Sequence, residues 1–159
     1  MLTLVRRFLV VAALLFWMGG FTFYGAVVIP IGLREIGKLQ AQVTGPVTFY
    51  LNLAGIAALL PFGWDLLRCR DPSPRRSATR WIAWTGMAAT LACLFALHAL
   101  LTHQVASGTS AGEPSFHLTH KAYLWIGTAQ WVCGVLFTIL SLAAWRSEDG
   151  RGERGASAP

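Results

Sequence analysis

Phe8 to Leu33 is a run of 26 residues without one charged side chain. Nothing else in the chain constrains its fold as strongly. About 20 predominantly apolar residues in a helix cross the roughly 30 Å hydrocarbon core of a bilayer. Three more segments read as spans: Val47 to Leu67, with Asp65 at its far end, Trp81 to Leu101 and Ala122 to Trp145. The sequence therefore predicts an all-α, integral membrane four-helix bundle with spans at about 8–33, 47–67, 81–101 and 122–145. Residues 146–159, RSEDGRGERGASAP, have no apolar face to bury and read as a disordered tail.

Arg6 and Arg7 ahead of the first run give it the look of a signal peptide. An h-region is only about 7–15 residues, however, and bulky Phe21, Phe23 and Tyr24 make a poor cleavage site, so the run is read as a retained span. Composition agrees with a membrane class: 55% of residues are hydrophobic and 13% charged, against about 25% charged in a typical soluble domain. The net charge of +6 does not read as nucleic-acid binding, because the basic residues lie beside the apolar runs.

Between the spans, Gly32 to Gly45 reads as a short interfacial helix or an extension of span one. Pro46 suits the first turn of span two, and Pro61 inside that span is expected to kink it. Arg68 to Arg80 (RCRDPSPRRSATR) is a tight polar loop. Residues 104–115 form a Gly/Ser/Thr loop.

Four spans place both ends on one side. That side carries Arg6, Arg7, Arg68, Arg70, Arg75, Arg76, Arg80, Arg146, Arg151 and Arg154, ten basic residues against Arg34, Lys38 and Lys121 on the other. The bias predicts cytoplasmic termini in a multi-pass plasma (inner) membrane protein. Helices in lipid associate through small residues and polar contacts. Ala88, Ala92 and Ala96 on span three, Gly127 and Gly134 on span four, and Gly19, Gly20 and Gly25 on span one are expected to serve that packing. Cys93 and Cys133 fall at similar depth as small apolar fillers, with a thiol pair or a soft-metal site as the alternative. Cys69 lies between Arg68 and Arg70, whose charges would favour a thiolate open to reaction or lipidation, with an incidental juxtamembrane cysteine as the commoner reading.

All four histidines lie between His98 and His120. Imidazole is the commonest neutral nitrogen ligand for transition metals and haem iron. His98 and His120 are the candidate cofactor (haem) ligands. His103 and His117 are candidate metal ligands, His117 and His120 sharing a helical face at i, i+3. Tyr24, Asn52 and Gln130 form a candidate intramembrane polar cluster, since such groups are costly in lipid. The spacing equally fits interfacial histidines bonding hydroxyls and lipid phosphate, or a polar path for a small substrate. No HExxH, catalytic triad, phosphate-binding or dinucleotide motif is present.

Phe16-Trp17-Met18-Gly19-Gly20-Phe21-Thr22-Phe23-Tyr24, running to Val27-Val28-Ile29-Pro30, resembles the opening of small four-helix bacterial membrane proteins. It is similar to the transmembrane protein 205-like group, and Thr128-Ala129-Gln130-Trp131 adds to the likeness. The resemblance implies a four-span bundle and no assigned reaction, and carries over no functional residue. The expected role is that of a small non-enzymatic membrane protein, a structural or accessory subunit partnered by lipid, other membrane subunits or its own copies. A haem- or metal-binding protein and a small-molecule or lipid carrier are the alternatives.

Overall fold

A computed structural model describes residues 1–69, 71–107 and 113–156. Arg70 and the loop and tail residues 108–112 and 157–159 lie outside it. The described residues are helical almost throughout and contain no strand. α1 (Leu2–Phe23) passes through a π turn (Tyr24–Val28) into α2 (Ile29–Glu35), and a 3₁₀ turn (Gly37–Leu39) leads into α3 (Gln40–Arg68). α4 (Pro74–Ala106) and α5 (Pro114–Ala156) complete the chain. Four helices, counting α1–α2 as one, are long and apolar enough to cross a membrane.

Local chemistry explains the joints. Pro30 has no N–H to offer the Ala26 carbonyl, and the ladder widens to π spacing just upstream of it. Gly37, at φ +56°, makes the left-handed step that reverses the chain after α2. Ser73 caps α4 by accepting from the Arg76 N–H at 3.3 Å, with Pro74 in the first turn, where its missing N–H costs nothing.

One boundary differs from the sequence expectation: α3 starts at Gln40, so Pro46 lies inside the helix. Pro61 lies inside the helix, where the sequence placed it. Side chains supply hydrogen bonds near both prolines: the Thr48 hydroxyl donates to the Thr44 and Gly45 carbonyls at 2.8 and 2.9 Å, and the Trp84 indole to the Leu59 carbonyl at 3.1 Å. Part of the stretch expected to form a disordered tail is helical, since α5 runs on to Ala156, and residues 157–159 lie outside the described residues. Glu148 and Asp149 in that stretch are held by arginines of α1.

α1 packs along α3, α3 along α4, and α4 most extensively along α5. Each helix buries a stripe at steps of three and four: Arg6, Val10 and Trp17; Asn52, Ala58, Phe62 and Asp65; Arg80, Ala83, Met87, Leu91 and Leu94; Gln130, Phe137, Ser141 and Trp145. Phe62 and Phe137 meet across the centre with ring centroids 5.0 Å apart.

Glycines act as sockets for larger side chains. A Cβ on Gly55 would sit 2.9 Å from the Trp17 indole nitrogen, and one on Gly134 2.7 Å from Met18 Sδ. The alanine stripe of α4 does not pack as expected: Ala92 and Ala96 face outward, and the helix turns Met87, Leu91 and Leu94 inward. Larger side chains fill the space between four helix axes, so the narrow face is left outside. The seam between α1 and α5 is the loosest, and an apolar groove lined by Leu14, Gly19, Phe23, Trp131 and Val135 runs along it.

Candidate functional site

The ends of α3 and α5 and the starts of α1 and α4 meet at one end of the bundle. There the apolar stripes run directly into charged residues. Arg6 continues the α1 stripe, Asp65 that of α3, Arg80 that of α4, and Ser141, Trp145 and Glu148 that of α5. Asp65 is fully buried and lies at the centre. Arg80 Nη2 donates to its Oδ2 in a short charged contact. The Trp145 indole donates to the same carboxylate at 3.0 and 3.2 Å. Arg6 Nε lies 2.9 Å from Asp65 Oδ1, close enough to pair by charge although its N–H is not aimed at that oxygen.

The network extends outward by alternating charge. Arg6 Nη2 donates to Glu148 Oε2 at 2.7 Å, and Arg7 Nη2 to the same oxygen at 3.0 Å. Arg7 reaches both oxygens of Asp149 at 2.8 and 3.0 Å and lies 5.5 Å from the Trp145 ring centroid. Arg80 donates from Nε to Ser141 Oγ at 3.3 Å and lies over the Phe137 ring. Three arginines (6, 7 and 80) face three carboxylates (65, 148 and 149), so the formal charges cancel. A buried charge is tolerated only when paired and hydrogen-bonded, and all four long helices contribute to that condition here.

A second pair borders this layer. Asp71 accepts from Arg76 Nε at 2.7 Å and Nη2 at 2.6 Å, and from the Ser73 N–H at 2.9 Å. Arg76 also donates to Ser147 at 3.0 Å, tying the 69–73 loop to α5. Burial pushes the Asp71 carboxyl up, but the Arg76 and Ser73 hydrogen bonds outweigh it and hold the group below the usual carboxylate range. Cys69 departs from the thiolate expectation. Its side chain is buried with Sγ 3.9 Å from Glu148 Oε2, and burial pushes the thiol pKa up despite the nearby Arg80.

At the opposite end the predicted residues are placed singly or in pairs. Tyr24 donates to Thr44 Oγ1 at 3.1 Å, and Asn52 Nδ2 to the Tyr123 hydroxyl at 3.4 Å. Gln130 is buried, and its Nε2 has no partner among the described residues. His98 is half-buried, its ring 5.9 Å from that of Phe49. His120 is exposed and stacks on Phe116, and His103 and His117 are exposed. Among the described residues, no three His, Cys, Asp or Glu side chains are grouped closely enough to hold one metal ion. Cys93 is exposed, whereas Cys133 is half-buried against Gly86, and both are free thiols.

Sequence reasoning put Asp65 at the far end of span two and Arg80 in the polar loop, and neither in the core. The signal that identifies them is register: each falls three or four residues beyond the last apolar member of its helix's buried stripe.

These features define an all-helical bundle of four candidate membrane spans, closed at one end by a charge-neutral ionic layer. No protein-family model, curated protein or solved structure matches the chain. The likeness to the transmembrane protein 205-like group therefore rests on the sequence alone, on residues 16–30 and 128–131.

Proposed function

We propose that this chain is a four-span protein of the plasma (inner) membrane, with both termini cytoplasmic, acting as a structural or accessory subunit rather than as an enzyme. The observation that carries this reading is the contrast between interior and surface. The buried ionisable groups at the terminal end neutralise one another across all four helices. The outward faces are lined with Leu, Phe, Ile and Val and interrupted by small residues, among them Gly19, Ala92 and Ala96. Exposed small residues on a span let another helix approach closely.

A photo-crosslinking amino acid in place of Ala96 tests the role in native membranes. Cross-linking to a different membrane protein is expected. A product of two copies of this chain, or attachment to lipid alone, overturns the accessory-subunit reading. Orientation has its own test: alkaline phosphatase fused after Pro159 is expected to be inactive, and active when fused after Ser107. The reverse pattern overturns the assignment of cytoplasmic termini, which the excess of arginine at that end supports.

A further inference from the structure

Beside the ionic layer, α1 and α3 part to form a cavity of about 220 Å³ lined by Leu2, Thr3, Arg6, Trp64, Arg68 and Glu148. Glu148 is already engaged by Arg6 and Arg7. The three arginines and three carboxylates of the layer cancel. Arg68 adds a positive charge to the cavity wall and has no hydrogen-bond or ion-pair partner among the described residues. The cavity therefore carries one uncompensated positive charge. Its walls also supply the Thr3 hydroxyl and the Trp64 indole, with Leu2 as an apolar flank. It opens at the end of the bundle where apolar helix surface gives way to charge.

We infer that this cavity binds a singly charged phosphate group, as in the phosphodiester of an anionic lipid headgroup, with Arg68 as the principal contact and Arg6 behind it. Guanidinium matches phosphate oxygens with paired N–H donors. Basic pockets between spans are suited to anionic headgroups. The phosphodiester of an anionic headgroup brings the single net negative charge that the cavity lacks, whereas in a zwitterionic headgroup the same phosphate is balanced by its own ammonium. The lipid source rests on the membrane reading above; the anion site itself does not.

The test uses the full chain in non-ionic detergent, with melting temperature followed while a ligand is titrated. Dihexanoyl phosphatidylglycerol is expected to raise the midpoint saturably. Dihexanoyl phosphatidylcholine, with the same chains and no net charge, is not. Arg68→Gln is expected to weaken apparent affinity roughly tenfold or more, the worth of one charged hydrogen bond, and Arg68→Lys to retain most of it. Because Arg68 has no described partner, neither variant should change the melting temperature without ligand. Inorganic phosphate binding as tightly as phosphatidylglycerol assigns the site to a soluble anion. Saturation by phosphatidylcholine, no saturation by either phosphate-bearing anion, or equal affinity in Arg68→Gln overturns the proposal. Alkaline carbonate extraction checks the membrane reading separately: release of the chain into the soluble fraction defeats that reading and leaves the anion titration interpretable.

Discussion

The two ends of the bundle bury polar groups by opposite means. At the terminal end the groups are charged, come from every long helix and form one connected network around Asp65. At the histidine end they are neutral, and they pair locally, as Tyr24 does with Thr44 and Asn52 with Tyr123, or have no partner, as at Gln130 Nε2. A buried amide or hydroxyl left alone costs about 1–3 kcal/mol. An ion left alone costs several. A loose arrangement is therefore tolerable at one end and not at the other, and only the charged end must close.

Asp65→Ala is the strongest way to break this contrast. It leaves Arg80 without a carboxylate and Arg6 with Glu148 alone, and is expected to destabilise the bundle by about 3–5 kcal/mol, measured by denaturant unfolding in detergent. Replacing the central pair together, with Asp65→Leu and Arg80→Met, leaves Arg6 and Arg7 facing Glu148 and Asp149 and should recover most of that loss, because a well-packed apolar substitute often matches a buried ion pair. A double variant no more stable than Asp65→Ala would mean that the layer adds stability beyond its own neutrality.

Between the two ends, Gly55→Ala forces a Cβ against the rigid Trp17 ring and Leu91 and is expected to cost about 1–3 kcal/mol. Gly134→Ala meets only the flexible Met18 side chain and should cost less. Equal costs would show that the Trp17 side of the core yields as easily as the Met18 side.

Acid should act on the charged end first. Asp71 is held below its ordinary pKa, so its contribution is complete above the usual carboxylate value of about 3.9 and is lost as pH falls through the lower folded value. Stability of the parent chain is expected to fall below about pH 4, and Asp71→Asn to show a shallower decline over that range. Parallel curves would remove Asp71 from the pH response.

The histidine end should respond weakly. A double-mutant cycle on Asn52→Ala and Tyr123→Phe is expected to give a coupling of about 0.6 kcal/mol, typical of hydrogen bonds between spans. His98→Ala with His120→Ala is expected to change stability by about 0.5 kcal/mol or less. A larger loss, accompanied by loss of near-stoichiometric iron, copper or zinc from the purified protein, would make this end a cofactor site and reverse the contrast.

The four long helices were legible because long apolar runs such as Phe8–Leu33 carry no charged residue that would divide them. Their ends were less so. Pro46 reads as a start signal by soluble-protein rules, yet the helix runs through it, with the Thr48 hydroxyl bonded to nearby carbonyls. The small-residue rule succeeded for Gly134, which seats Met18, and failed for Ala92 and Ala96, because composition does not say which face of a helix turns inward. The ionic layer was missed for a related reason. Arginines near span ends were read as topology signals, and Asp65 as the far end of its span. Whether such a residue points along the core stripe depends on phase, and on carboxylates contributed by a segment more than a hundred residues away. The histidines attracted attention by type and clustering in sequence, but three of the four lie on exposed helix surface.

The pairing of Arg6 with Glu148 joins residues 142 positions apart. A growing chain is made from its first helix onward, so these arginines emerge long before their carboxylates exist. Until α5 is complete, the half-built bundle holds unmatched cations where the finished one is neutral. A product terminated at Arg146 would retain all four apolar runs and yet leave Arg6 and Arg7 without Glu148 and Asp149, so the last turns of α5 complete the charge balance that the first turns of α1 begin.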